Sequence, residues 1–278
     1  MPTLYVVATP IGNLEDLTLR ALRVLGEVGL IAAEDTRVTR QLLSRYEIKT
    51  PLTSYHEHNK TSKLPSLLDK LSEMDLALVS DAGVPGINDP GYELVQAAAQ
   101  AGVEVVTVPG PSAVTAAIAV SGLPLEGFVY LGFLPRRKTE RRRLLESVAA
   151  ETRALVAFET PHRLSASLTD FLTALGDRQI AVCRELTKLH EEVFRGTVSE
   201  SIGHFSEPRG EFTLVIEGNS DQAVQPSAEE TKALLDQLRK AGIGAKEAVA
   251  RASEGSGLSR REVYRLWLET RGASGGDP

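Results

Sequence analysis

Asp81 closes an apolar stretch, Leu76–Asp81, and lies at the head of the most unusual segment of the chain. That segment, Ser80–Gly91, packs Gly83, Gly86, Gly91, Pro85 and Pro90 into twelve residues. A plain connection needs far fewer residues of special backbone freedom. Such a loop can hold amides and carbonyls in fixed positions around a small molecule, with the Asp81 carboxylate accepting from a ribose or amino group. "VATPIGNLEDLT" has a related character. Gly12 follows an apolar run and would let the backbone approach a ligand. Pro10 and Asn13 break any G-x-G-x-x-G pattern, so the segment reads either as a tight turn or as a cofactor loop. In "VPGPSAV" Ser112 suits a helix N-cap, a role compatible with a ligand contact from the same loop.

A second group of residues could meet phosphate. "PRRKTERRRLLE" carries Arg136, Arg137, Lys138, Arg141, Arg142 and Arg143 in a chain whose net charge is −6. A basic patch on an acidic protein is a nucleic-acid signature, and each neutralised phosphate would steepen the salt dependence of binding. The rival reading is a solvated helix face. Arg37 and Arg40 follow Glu34 and Asp35, as a phosphate site or as an ordinary helix start. His162, Arg163, Arg184, Glu185, Lys188, Glu191 and Glu192 flank apolar runs, as a structural ion-pair network or as a catalytic wall. His56 and His58 suit hydrogen bonding in a loop better than a metal, and no metal site is expected. Cys183 is the single cysteine, which excludes an intramolecular disulfide and a multi-cysteine zinc site.

The elements that must position these residues follow from periodicity. Runs at 4–8, 30–35, 76–81 and 103–110 read as strands, with helical patterns between them. β-Branched strands alternating with helices predict a largely parallel sheet, with ligands at the strands' carboxyl ends. From Pro124 onward the runs "FVYLGFLP", "ALVAFE", "QIAVCREL", "EEVFRGTV" and "EFTLVIEG" predict a mixed sheet with less helix. A polar linker, 219–227, leads to about three short helices. Ser227 with Glu230 and Ser259 with Glu262 form S-x-x-E capping boxes there. The expected division is therefore 1–123, 124–219 and 227–272. No run approaches the roughly 18–20 apolar residues of a membrane span. The first residues do not read as a signal peptide, so a cytoplasmic location is expected.

"ATPIGNLED", "AEDTR", "HEHN", "SDAGVPGINDPG", "VPGPSA", "GFLPRRK", "FETPHR" and "RELTKLHEE" occur together, in this order, over 4–218. This set resembles the ribosomal small-subunit methyltransferase I group of the tetrapyrrole methylase superfamily. The resemblance implies two α/β domains with S-adenosylmethionine in the cleft between them, a small C-terminal helical segment, and usually a homodimer. It implies 2′-O-methylation of a cytidine in the decoding region of 16S ribosomal RNA, free or in the small subunit. By motif, the cofactor is expected at Pro10, Ile11 and Gly12, at Asp81, Ala82, Gly83 and Val84, and at Ser112 and Ala113. Thr160, Phe212 and Thr213 are expected to meet it from the second domain. Arg37, Arg136, Arg137, Lys138, Arg141, Arg142, His162 and Arg163 are expected to bind or orient RNA. The proton acceptor is expected in the second domain's wall, with Lys188 and Glu185 as leading residues. Glu185, Glu191 and Glu192 would keep Lys188 protonated, and a carboxylate is a weak base for a ribose hydroxyl.

Overall fold

A computed structural model of the chain describes residues 2–219, 228–256 and 258–272. Its contacts divide the chain into two compact units, Met1–Gly218 and Asn219–Pro278.

The larger unit holds two five-stranded sheets. The first is built from β1 (Thr3–Val7), α1 (Leu19–Glu27), β2 (Leu30–Ala33), α2 (Thr36–Arg45), β3 (Leu52–Ser54), α3 (Lys60–Leu71), β4 (Leu76–Val79), α4 (Tyr92–Gln100) and β5 (Glu104–Val108). Its strands are all parallel, in the order β3-β2-β4-β1-β5. Central parallel strands are buried on both faces, so they read as continuous apolar runs. In β4, Leu76 and Leu78 join one core with Leu4, Tyr55 and Leu94, while Ala77 and Val79 join the other with Ile31 and Leu25. Every helix crossover returns the chain to the same edge, so the loops after β1, β2, β4 and β5 gather at one end.

The chain then runs through α5 (Ala113–Ser121) into β6 (Phe128–Phe133), α6 (Lys138–Ser147), β7 (Ala154–Glu159), α7 (Pro161–Leu175), β8 (Gln179–Arg184), β9 (Glu192–Thr197), α8 (Val198–His204) and β10 (Phe212–Ile216). The order is β6-β7-β10-β8-β9, with β6 parallel to β7 and the other pairs antiparallel. This is the expected mixed sheet. Its alternation is regular in β10: Leu214 and Ile216 face a core with Phe171, Leu164 and Leu145, whereas Val215 faces α5. Val114 and Ala117 of α5 pack on Val156, Ala181 and Cys183, so this helix follows the first sheet in sequence but covers the second.

The smaller unit contains α9 (Ala228–Lys240), α10 (Ala245–Ser256) and α11 (Arg260–Gly272) around Leu235, Ala252, Val263 and Trp267. The Arg239 guanidinium stacks 3.9 Å from the Trp267 ring centre. The Ser259/Glu262 box is formed: Ser259 N–H donates to Glu262 at 2.9 Å, and Glu262 N–H donates to Ser259 Oγ at 3.3 Å. Ser227 lies outside the described residues, and the Ser227/Glu230 pair with it. Among the described residues no helix is long and apolar enough to cross a membrane.

Candidate functional site

A cavity of about 350 Å³ opens between the two sheets, within the size range of small-molecule sites. From the first sheet it is lined by Ile11, by Glu34 after β2, by residues 81–84 and 87–89 after β4, and by Ser112 and Ala113 after β5. From the second sheet come Phe133, Phe158, Glu159, Thr160, Cys183, Leu186, Glu211, Phe212 and Thr213. All the expected cofactor residues except Pro10 and Gly12 therefore line one cavity.

Those two exceptions have a geometric cause. Pro10 faces a smaller hollow beside Thr9, Leu14 and Asp81. Gly12 is pressed against the loop after β8: a Cβ there would lie 2.5 Å from Lys188 Cγ and 3.0 Å from the Leu186 carbonyl. Only glycine lets these loops cross so closely. The two loops on the first sheet are tied to each other as well. Thr9 N–H donates to the Gly83 carbonyl at 2.9 Å and Gly83 N–H to the Thr9 carbonyl at 3.0 Å. Gly83 holds this bridge at φ +80°, a conformation that L side chains rarely adopt.

The first-sheet side of the cavity is acidic. Asp81 Oδ1 accepts the Asp35 amide at 2.9 Å, and Glu34 accepts the Asp81 amide at 3.2 Å. Burial raises the pKa of both carboxyls. Asp89 lies with them, and burial followed by the charges of Glu34 and Asp81 pushes it up to about 6. Cys183 forms part of the opposite wall, and burial pushes its thiol up to about 11. Ser112 occupies the N-cap position of α5, but its side chain makes no cap hydrogen bond and faces the cavity instead.

The expected catalytic pair stands outside this lining. Lys188 Nζ lies 3.0 Å from Glu185 and 2.8 Å from Glu211. Burial works against its charge, yet these two carboxylates outweigh burial and raise its pKa above the usual lysine value. Burial likewise opposes ionisation of Glu185, and the Glu211 amide and Lys188 outweigh it, lowering its pKa. Both shifts favour the charged pair, which makes Lys188 a poor proton acceptor and Glu185 a weak one. The pair spans a loop with Glu185 and Thr187 at positive φ.

The basic run is divided by its surroundings. Arg141 is 5% exposed and bonds Asp170 of α7 at 2.6 Å, so it is withdrawn from any RNA. Arg142 bonds the other Asp170 oxygen at 2.7 Å and is partly exposed. Arg163 pairs with buried Glu159 at 3.3 Å and donates to the carbonyls of Leu134 and Pro135. It too serves the protein rather than a ligand. Arg137 pairs with Glu140, and Arg37 with Asp35, both in solvent. Arg136, Lys138 and Arg143 are exposed and make no ion pair among the described residues. His162 is exposed beside Thr160 at the end of β7, 3.4 Å from its hydroxyl.

Sequence reasoning missed Glu34, Asp89, Phe133, Phe158, Glu211 and Cys183 as cavity residues. Asp89 was visible within the glycine-rich segment. Glu34 stood in the marked AEDTR segment and Cys183 as the single cysteine, whereas Phe133 and Phe158 sit on strands, and Glu211 just before β10, with no local mark.

Residues 3–201 match the family described as Tetrapyrrole (Corrin/Porphyrin) Methylases. The chain is 45% identical over 273 residues to "Ribosomal RNA small subunit methyltransferase I" of Halalkalibacterium halodurans, covering 95% of this chain and 94% of the relative. The protein of that name from Thermotoga maritima is 53% identical over 221 residues, covering 78% and 99%. This chain is a member of the ribosomal RNA small subunit methyltransferase I family. It is a methyltransferase with the tetrapyrrole methylase fold. Solved structures agree on the fold: diphthine synthase superimposes with a TM-score of 0.59 at 11% identity, covering 78% of this chain and 90% of that one. A uroporphyrin III C-methyltransferase from Thermus thermophilus gives 0.56 at 20% identity, covering 78% and 97%.

Proposed function

We propose that the chain transfers a methyl group from S-adenosylmethionine to the 2′-hydroxyl of a cytidine ribose in the decoding region of 16S ribosomal RNA. The observation that carries this reading is the cavity's lining. Carboxylates of Glu34, Asp81 and Asp89 line the same cavity as the aromatic ring of Phe158, a combination that suits a cationic ligand. A sulfonium with an adjacent ammonium fits that chemistry, and a bare phosphate does not.

Asp81, Ser112 and the backbone of 82–84 would hold the cofactor's polar groups, with Ile11, Phe212 and Thr213 closing on it. Bound S-adenosylmethionine supplies an electrophilic methyl group, so the chemistry asked of the protein is alignment. Fixing the hydroxyl and methyl in line accounts for several kcal/mol of the barrier. The walls from both sheets exclude water. Asp89 is the lining carboxyl able to hold or release a proton near neutral pH, which suits it to accept the hydroxyl proton as the bond forms. The exposed cations of Arg136, Lys138 and Arg143 would supply phosphate contacts. An RNA substrate also implies a cytoplasmic protein, and two copies of the chain are proposed to work as a dimer.

The test is incubation with labelled S-adenosylmethionine and either unmethylated 30S subunits or free 16S RNA. The expected product is one labelled, alkali-resistant ribose at a decoding-region cytidine. Label on a base, or transfer to neither RNA, overturns the reading.

A further inference from the structure

Phe133 is 54% exposed although it belongs to a sheet strand and lines the cavity. Its direction is not what alternation along β6 would give. Val129 and Leu131 pack against the core beneath α7, and Tyr130 packs on the opposite, cavity-side face. Continued alternation would send Phe133 to the core with Val129 and Leu131. Instead the pairing with β7 slips: Tyr130 faces Val156, Gly132 faces Ala157 and Phe133 faces Phe158. One residue is extra, and Gly132 takes φ +66° to absorb it. Bulges of this kind re-aim side chains. Here the result is that Phe133 meets Phe158 edge-to-face, with ring centres 5.4 Å apart, at the same distance that separates Tyr130 from Phe158. The bulge thus turns a large apolar ring out of the core and into the open cavity wall.

The surroundings fix that ring. Gly132 lies against the first-sheet loop, where a Cβ would be 2.8 Å from Asn88 Oδ1, and Asn88 donates to the Tyr130 hydroxyl. On the other side the Leu134 and Pro135 carbonyls are gripped by Arg163, and Pro135 also by Arg141 at 3.4 Å. Both arginines are themselves anchored on buried acids, Glu159 and Asp170. Immediately beyond this clamp stand Arg136 and Lys138, unpaired and exposed.

We infer that Phe133 is the platform on which the target base stacks when its ribose enters the cavity, with Arg136 and Lys138 holding the adjoining phosphates. This rests on the RNA reading given above. An exposed aromatic face followed within a few residues by free cations is how single-stranded RNA is held, because every base offers a π-face and every nucleotide a charge. A target nucleotide drawn out of its stack loses that stacking, and a waiting ring offsets the loss.

The experiment uses the full chain and unmethylated 30S subunits. Turnover is measured for wild type, Phe133→Ala, Phe133→Leu and Phe133→Trp, with S-adenosylmethionine affinity by calorimetry and melting temperature for each. Loss of a stacking partner should lower kcat/KM about tenfold or more in both the Ala and Leu variants. Trp should restore it to within about threefold, and cofactor affinity should hold in all three. A leucine fills the space against Phe158 but has no π-face, so a merely structural role would be met by Leu. Wild-type turnover in Phe133→Leu overturns the inference alone. Loss of cofactor affinity that matches the loss of turnover assigns the ring to the cofactor, and also overturns it. A wild-type protein that methylates no RNA removes the RNA reading and this inference together.

Discussion

The Arg141 guanidinium and the Asp170 carboxylate meet at 2.6 Å with side-chain exposures of 5% and 2%, joining α6 to α7 inside the larger unit. Burial opposes the Asp170 charge, and the two arginines outweigh it, lowering its pKa. Removing Arg141 leaves the buried Asp170 carboxylate with only the half-solvated Arg142 against it. Arg141→Ala is expected to destabilise the fold by about 3–5 kcal/mol, read as a fall in denaturation midpoint. Arg142→Ala, at a half-solvated position, should cost no more than about 1 kcal/mol. A double Arg141→Met, Asp170→Leu variant should recover much of the loss. Equal, small effects of the two arginine substitutions would contradict this assignment.

Asp89 gives a pH dependence with a defined sign. Its folded pKa, about 6, stands above the ordinary aspartate value of 3.8. The fold therefore favours the protonated form, and this contribution to stability is present below pH 4 and lost as pH rises through 6. Asp89→Asn should be more stable than wild type at pH 8, by about 1–2 kcal/mol after allowance for solvent screening. A cationic ligand favours the ionised form. Affinity for S-adenosylmethionine should thus rise between pH 5 and pH 7 in the wild type and stay flat in Asp89→Asn, as calorimetry at matched ionic strength would show.

The free cations should be separable from the structural ones by salt. Arg136→Glu with Lys138→Glu should weaken binding to 30S subunits and flatten the slope of log affinity against log salt by about 1.4, for two contacts to single-stranded RNA. Cofactor affinity and melting temperature should not change. An unaltered slope would make this segment a solvated surface only.

Gly12→Ala tests the crossing of the first loop over Lys188. The added methyl would force the loops apart at a cost of about 1–3 kcal/mol. Because the strain falls on a cavity wall, S-adenosylmethionine affinity should drop about tenfold or more, with the sheets' melting little affected. Lys188→Ala, which removes the nearest obstacle, Cγ, should relieve part of that loss.

The loops that line the cavity from the first sheet were legible because their signals are local. Ile11, Asp81, Gly83 and Ser112 each follow an apolar strand, and parallel topology brings such loops to one end. The strand runs and the mixed character of the second sheet were legible for the same reason. Arg141 misled because its partner lies 29 residues away, on a helix whose own pattern had drawn no attention. Lys188 was recognised as protonated, but its distance from the cavity depends on how Glu211 and Gly12 pack around it. Phe133 was hidden most thoroughly. Regular alternation predicts a core residue, and the one-residue slip that exposes it is set by pairing with β7, which no local pattern encodes.

The paired hydrogen bonds between Thr9 and Gly83 make the loops after β1 and β4 one object. Thr9 also donates its hydroxyl to the Ser80 carbonyl at 3.0 Å, which adds a third tie. Two independent loops would each surrender conformational freedom when a ligand arrived, at about 1–2 kcal/mol per residue fixed. Here that freedom is surrendered once, when the sheet folds, and the amides of 82–84 are already aimed. Binding energy from the adenosine and methionine ends is then left for alignment rather than for ordering the backbone. The same rigidity means that ligand entry must come from movement of the second sheet's wall or from the open mouth, not from the parting of these loops.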